Sequence, residues 1–326
     1  VLAPSLVAQA SRAAPGIDAL ELGRRLKVAA ILTWDLRRIQ DSVRVSAELF
    51  RIQDGSLLWT ARFSRPFADV VVIQGEIARA ISDSLRLELS DRERATLDQV
   101  PTAKAEAYDY YMRGRHFANR AIAQGTRNAR EFLDSARDYA GRALESDSTF
   151  SAAIALQSSW HFTGAMRGWR IPFAVHVDSG MMFARRALAL DSASGEAWLT
   201  FIANSLYLGD DFDRLGTIFE TALRRAPEAP AVWNFYAIYL GEVENRLDSA
   251  LVAARRATEL EPSIQFLNTL GDLYMRRRRY DSAIAVLSRA VAVEPAAVGP
   301  QLRLVTSYER IRRYPEAVVA RRAWLG

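Results

Sequence analysis

Phe266 to Pro295 reads FLNTLGDLYMRRRRYDSAIAVLSRAVAVEP, and this stretch decides the fold. Leu270, Tyr274, Ala283, Leu287 and Ala290 recur at helical spacing on either side of a basic turn, and Pro295 stops the second run. The same grammar extends outward in both directions. A small residue near the end of the second helix recurs as Ala143, Ala187, Ala222, Ala257 and Ala290, with Trp324 in the last equivalent place. After a first step of 44 the spacings are 35, 35, 33 and 34 residues. A second small residue stands seven places earlier, as Ala136, Gly180, Ala250, Ala283 and Ala317, with Leu215 the exception. Pro227, Pro262 and Pro295 follow three of the anchors by five residues. A repeat of this length is one supersecondary unit, here two helices and a turn.

Two antiparallel helices joined by a short turn pack closely only if small residues sit where their axes cross, which Ala and Gly at the two anchors supply. Large residues such as Trp198, Trp233, Leu270 and Leu304 then fill the space between one hairpin and the next. One hairpin cannot bury its own apolar face, so several must stack. The pattern predicts six hairpins, near 105–146, 150–190, 195–225, 229–260, 264–293 and 297–325, in a domain spanning 103–326. The first two are degenerate: Ser148 and Ser192 replace the proline, and the second carries a long connection, GAMRGWRIPFAV, from Gly164 to Val175. Matched at several positions over more than half the chain, the repeat resembles the tetratricopeptide family.

The first 95 residues follow a different grammar. Ile17, Leu20, Leu22 and Leu26 share a helical face. VAAILTWDLRRI, then VRVSAELFRI, then LLWTARFSR read as three strands, separated by Gln40-Asp41-Ser42 and by Gln53-Asp54-Gly55-Ser56 with its Asp-Gly hairpin signal. Phe67 to Leu89 returns to helical spacing, with Val72, Ile73, Ile77, Ala80, Ile81 and Leu85 on one face, and Val1 to Ala8 reads as one further strand. The expected class is a small α+β unit, residues 1–95, followed by an all-α superhelix. Gly23 to Leu26, Val43-Arg44-Val45, Asp54-Gly55, Leu58-Trp59 and Ile73 to Ala78 resemble, in order and spacing, a TolB-like domain over about residues 18–85. Two departures stand out: Thr33-Trp34-Asp35 replaces the usual central-strand Glu-Gly-Ser, and the preceding β–α–β half is missing apart from Val1 to Ala8. The resemblance implies a sensory or scaffolding region of a bacterial signalling protein, beside a Ser/Thr kinase, a class III adenylate cyclase or a winged-helix DNA-binding domain. It leaves open the cytoplasmic or extracytoplasmic side of the inner membrane.

Half of the 326 residues are apolar and a quarter charged, which excludes a disordered chain. Cysteine is absent, so disulfides and every thiolate chemistry are excluded. No apolar run is long enough to span a bilayer. Val1 to Ala10 lacks the basic start of a signal peptide, and a first residue of Val suggests part of a longer or processed chain. No phosphate-loop, dinucleotide or nucleophile-elbow motif is found. His116, His161 and His176 lack metal-ligand spacing and read as structural or surface residues, and Asp210-Asp211-Phe212-Asp213 lacks the remaining positions of a calcium loop. The expectation is therefore no catalytic residue, no metal and no cofactor.

What remains points to binding. Of 43 basic residues 41 are Arg, and residues 262–326 carry 11 basic against 5 acidic groups. Arg276 to Arg279 fall at the end of one first helix and its turn, and Arg310, Arg312 and Arg313 recur one repeat later, so Arg277, Arg278, Arg279, Arg310, Arg312 and Arg313 form a candidate basic edge. It reads either as a solvated edge favoured by helix dipoles or as a docking patch for an acidic partner or nucleic acid. Trp169, in the long connection, is a candidate contact if nothing packs on it. On the inner helices, counting from the small position of each repeat, Asn204, Asn234, Ile238, Asn268, Asp272, Arg276, Arg303 and Thr306 are the expected groove residues. Side-chain amides there would suit the backbone of an extended peptide. The leading reading is a non-enzymatic protein or peptide scaffold, its partner either a separate protein or its own upstream domain. A nucleic-acid binder and an enzyme with an unrecognised site are the alternatives. Val318, Val319, Trp324 and Leu325 leave a homodimer through the last hairpin open.

Overall fold

The structure, a computed structural model, describes residues 17–26, 28–40, 42–66, 76–77, 79–80, 82–83, 102–123, 129–169, 171–207, 212–294 and 297–325. It has the expected class: a short helix and a three-stranded sheet, then helices to the end. Helix α1 (Ala19–Leu26) leads into β1 (Ala30–Ile39), β2 (Ser42–Arg51) and β3 (Leu57–Pro66), an antiparallel meander in that order. β2 alternates as its sequence does, with Val43, Val45, Ala47 and Leu49 buried and the residues between them turned outward. Gly55 takes a positive φ of 70°, which the tight β2–β3 turn requires, and Asp54 Oδ1 accepts from Ser56 N at 3.0 Å. Phe63 and Ile77 pack on Val43 and Val45. Trp34 stands opposite Ala47 and so on the same face, yet it is 68% exposed. Of the helical face expected over 67–89, Ile77 and Ala80 are described; the rest, like the strand expected at Val1 to Ala8, lies outside the described residues.

Among the described residues, twelve further helices follow as six consecutive pairs: α2 (Ala105–Ala123) and α3 (Ala129–Ser146), α4 (Ser151–Met166) and α5 (Phe173–Leu190), α6 (Gly195–Tyr207) and α7 (Phe212–Arg225), α8 (Pro230–Ile238) and α9 (Leu247–Leu260), α10 (Ile264–Arg276) and α11 (Tyr280–Val293), α12 (Val298–Arg310) and α13 (Tyr314–Leu325). The chain forms two compact units whose boundary falls within α7, between Leu215 and Gly216.

The small-residue logic holds at the level of atoms. Ala143, Ala187, Ala222, Ala257 and Ala290 are all fully buried. Each carbonyl accepts the closing hydrogen bond of its helix, from the amides of Asp147, Asp191, Ala226, Glu261 and Glu294. Gly271 shows why size matters: a β-carbon there would lie 2.6 Å from Leu287 Cγ in the facing helix. The two tryptophans do more than fill space. Trp198 Nε1 donates to Ser192 O at 2.9 Å, and Trp233 Nε1 donates to Pro227 O at 2.7 Å, so each indole ties down the connection that precedes its helix.

One repeat is irregular. Helices α8, α10 and α12 start at Pro230, Ile264 and Val298, a step of 34 both times. The left-handed residues that end the corresponding turns are Asn245, Arg278 and Arg312, with steps of 33 and 34. The first of these helices therefore holds one residue more. It is absorbed in a π-helical turn, Tyr239–Val243, where Glu244 N reaches back five residues to Tyr239 O at 3.2 Å.

Candidate peptide-binding face

The first helices of the last three hairpins, α8, α10 and α12, carry most of the expected groove residues. Ion pairs step from one repeat to the next across this face. Arg276 Nη1 donates to Glu242 Oε1 at 2.6 Å, and its Nη2 donates to Gly241 O at 2.8 Å. Gly241 O belongs to the π-helical turn, so the irregular turn and the next repeat are held by one guanidinium. Arg303 Nε pairs with Asp272 Oδ1 at 2.8 Å, both side chains a third exposed. Pairs this exposed contribute little to stability, about 0–1 kcal/mol each. Their effect here is to fix the charges as an alternating row.

Apolar groups stand beside that row. Ile238 is 38% exposed and Leu302 is 51% exposed. Leu302 escaped sequence reading, although a step of 34 from Asn268 lands on it. Asn268 is half-buried; its Oδ1 has no hydrogen-bond partner, and the amide lies against Gly299, with 3.4 Å to a β-carbon placed there. Thr306 turns its hydroxyl back to Leu302 O at 2.9 Å, so its donor is occupied.

Two expected groove residues do not face a groove. Asn204 is buried: Nδ2 donates to Thr200 O at 2.7 Å and to Ser158 Oγ at 3.4 Å, and the side chain fills the space over Gly180. Its neighbour being glycine, the amide turns inward rather than out. Asn234 is also fully buried, and neither of its amide atoms has a hydrogen-bond partner. Counting along the repeat does not show which way these two side chains turn.

Trp169 is not a free loop residue. It packs against Trp160 (5.3 Å between ring centres) and His176 (6.2 Å), with Arg130 over its ring at 5.5 Å. The same core joins two of the histidines. His161 and His176, fifteen residues apart on α4 and α5, face each other with Nδ1 atoms 3.3 Å apart. The His176 ring occupies the space over Gly164, with its Nδ1 2.9 Å from a β-carbon placed there, and its Nε2 is buried without a partner. Burial, then His176, then Arg137 push the His161 pKa down to about 4; burial and Arg137 lower that of His176. Among the described residues no three His, Asp or Glu side chains gather as a metal site. The calcium-like Asp210, Asp211 and Asp213 side chains lie outside the described residues.

The candidate basic edge divides in two. Arg277 pairs with Asp248 at 2.8 Å, and Arg313 pairs with Glu316 at 2.7 Å while covering the Tyr308 ring at 5.2 Å. Arg278, Arg279, Arg310 and Arg312 are exposed. At the last hairpin Val318 and Val319 are exposed, and the Trp324 and Leu325 side chains lie outside the described residues. Among the described residues no helix is long and apolar enough to cross a membrane.

The helical part has the tetratricopeptide-repeat fold. The APC/C hetero-tetramer Cut9–Hcn1 matches with a TM-score of 0.51 at 16% identity, over 79% of this chain and 51% of that one. TTC0263, a thermophilic TPR protein of Thermus thermophilus, aligns at 14% identity over 60% of this chain and 99% of that one, with a TM-score of 0.47. No protein-family model matches the chain. A curated protein of Rhizobium meliloti (strain 1021) named "Putative adenylate cyclase 3" is 26% identical over 183 residues, 56% of this chain and 30% of that protein. The chain thus matches under a third of that relative's length.

Proposed function

We propose that this chain is a non-enzymatic interaction module whose helix-A face, on α8, α10 and α12, binds a protein or peptide segment. The observation that carries the reading is the make-up of that face. Exposed Ile238 precedes Glu242 by four residues, and exposed Leu302 precedes Arg303 directly, so each apolar side chain shares a helical segment with one member of the Glu242–Arg276 and Asp272–Arg303 pairs. Apolar anchors supply affinity to a docked segment, and a fixed row of charges supplies register. Asn204 and Asn234 are not part of this reading.

The likeness to a protein named as an adenylate cyclase and the TolB-like resemblance of residues 18–85 support a place beside a signalling domain. The module would then hold a partner near that domain, or hold the domain itself.

Peptide selection tests the reading. The immobilised chain would be presented with a random peptide display library, and the selected peptides titrated against the parent and an Ile238→Asp/Leu302→Asp variant. The variant is expected to bind about tenfold or more weakly, the usual consequence of losing central apolar anchors. Equal binding by both chains would remove the face from consideration.

A further inference from the structure

The turns after α10 and α12 end alike. Arg278 (φ 57°) and Arg312 (φ 63°) take the left-handed backbone, and the next amides close the helix, Arg279 N to Tyr274 O at 2.8 Å and Arg313 N to Tyr308 O at 2.9 Å. This cap ordinarily carries glycine or asparagine, since a β-carbon is strained there. Other turns of this chain obey that preference, with Gly168 (φ 59°) between α4 and α5 and Asn245 (φ 54°) between α8 and α9. The two arginines are therefore held at a conformational cost.

Among the described residues nothing offsets it. Arg278, Arg279, Arg310 and Arg312 are exposed, and none makes a side-chain hydrogen bond or ion pair among the described residues. Their neighbours Arg276, Arg277, Arg303 and Arg313 all have carboxylate partners. The four uncommitted guanidinium groups lie on two successive, equivalent turns, in a segment where 11 basic groups face 5 acidic ones.

We propose that Arg278, Arg279, Arg310 and Arg312 form a docking edge, separate from the helix-A face, for an acidic segment of a partner protein. Scale and sign favour an acidic peptide over nucleic acid. Neighbouring helix layers pack about 10 Å apart, so the edge is short. The next turn along bears Glu244, Arg246 and Asp248, with Arg246 paired to Glu244 at 3.1 Å, so the stripe of unpaired cations ends there, where a phosphate backbone needs a longer continuous one. An extended chain rises about 3.3 Å per residue, so carboxylates roughly three residues apart would reach successive turns. Guanidinium groups bind carboxylates through paired hydrogen bonds.

The test uses the whole chain, a fluorescein-labelled Glu-rich peptide, and labelled single-stranded and duplex DNA of matched charge, titrated by anisotropy at one salt concentration. The informative variant is Arg278→Gly/Arg312→Gly, because glycine fits the left-handed turns and the protein should melt at a higher temperature than the parent. Peptide affinity is expected to fall about tenfold or more, as for lost charge-assisted hydrogen bonds, despite that gain in stability. Arg279→Gln/Arg310→Gln should weaken it likewise, whereas Ile238→Asp/Leu302→Asp should not. Unchanged peptide affinity in both arginine variants would overturn the proposal. Tighter binding to either DNA than to the peptide would replace it with a nucleic-acid edge, and a lower melting temperature in the glycine variant would remove its premise.

Discussion

Asn204 sits so tightly over Gly180 that a β-carbon there would stand 3.1 Å from its Nδ2 and collide with its Oδ1. The two residues are one device. Ser158 Oγ donates to Gly180 O at 2.7 Å and accepts from Asn204 Nδ2, so α4, α5 and α6 meet at a buried polar knot. Asn204→Ala should cost about 1–2 kcal/mol of stability, as for removal of buried hydrogen bonds. Gly180→Ala should cost about 1–3 kcal/mol through overpacking. Denaturant midpoints would measure both, and neither change should alter peptide binding at the helix-A face. A binding loss without a stability loss would return Asn204 to the groove.

The paired histidines make stability depend on pH. An unfolded imidazole protonates near 6.5, whereas His161 in the folded chain does so only near 4, and His176 is shifted in the same direction. Between those values the unfolded chain binds protons that the folded chain refuses. Stability is thus complete above about pH 6.5 and lost as the pH falls toward 4. For His161 alone the loss approaches about 3 kcal/mol. Urea midpoints of the parent and of His161→Phe, taken across this range, would test it; a slope left undiminished by the substitution would refute the assignment to His161.

The indole bonds to the inter-hairpin connections predict a matched pair of effects. Trp198→Phe and Trp233→Phe keep an aromatic ring but lose the donor to Ser192 O or Pro227 O, and each should cost about 1 kcal/mol. Because the two bonds lie in different compact units, the costs should add in the double variant. A cooperative excess in global unfolding would contradict that independence.

Arg276 joins two repeats through a carboxylate and a carbonyl. Arg276→Met should leave Gly241 O without its donor and release the Glu242 carboxylate. The expected loss is about 1–2 kcal/mol, because the carbonyl bond is charge-assisted. Amide exchange should accelerate first around 239–246. Faster exchange confined to α10 instead would place the effect in the wrong hairpin.

The sequence exposed the skeleton of the fold because that skeleton rests on size. Ala257 and Ala290 are small because a facing helix occupies the space, and size survives in the residue letter. The sheet was legible for a similar reason: Val43, Val45, Ala47 and Leu49 alternate because one face is dry. The site was less legible because it depends on direction. Whether an asparagine on a first helix faces out or in is decided by its neighbour across the interface, as Gly180 decides for Asn204. The His161–His176 contact joins residues across a connection whose path no local pattern reports. The left-handed arginines were hidden because arginine is a poor signal for that conformation, where glycine or asparagine would have announced it.

The π-helical turn at Tyr239–Val243 has a consequence for how such an array changes length. It behaves like a dislocation healed within a single layer: the extra residue is swallowed before the next hairpin begins, and α10 and α12 keep their stride. A compact globule would propagate the misfit into its core, whereas a stack touching only its neighbours confines it. Within the fault Gly241 O accepts from Arg276 of the adjoining layer, which ties the irregular turn to the next repeat. Insertions of one residue in a first helix should therefore be heritable wherever the following repeat carries a long donor at that place.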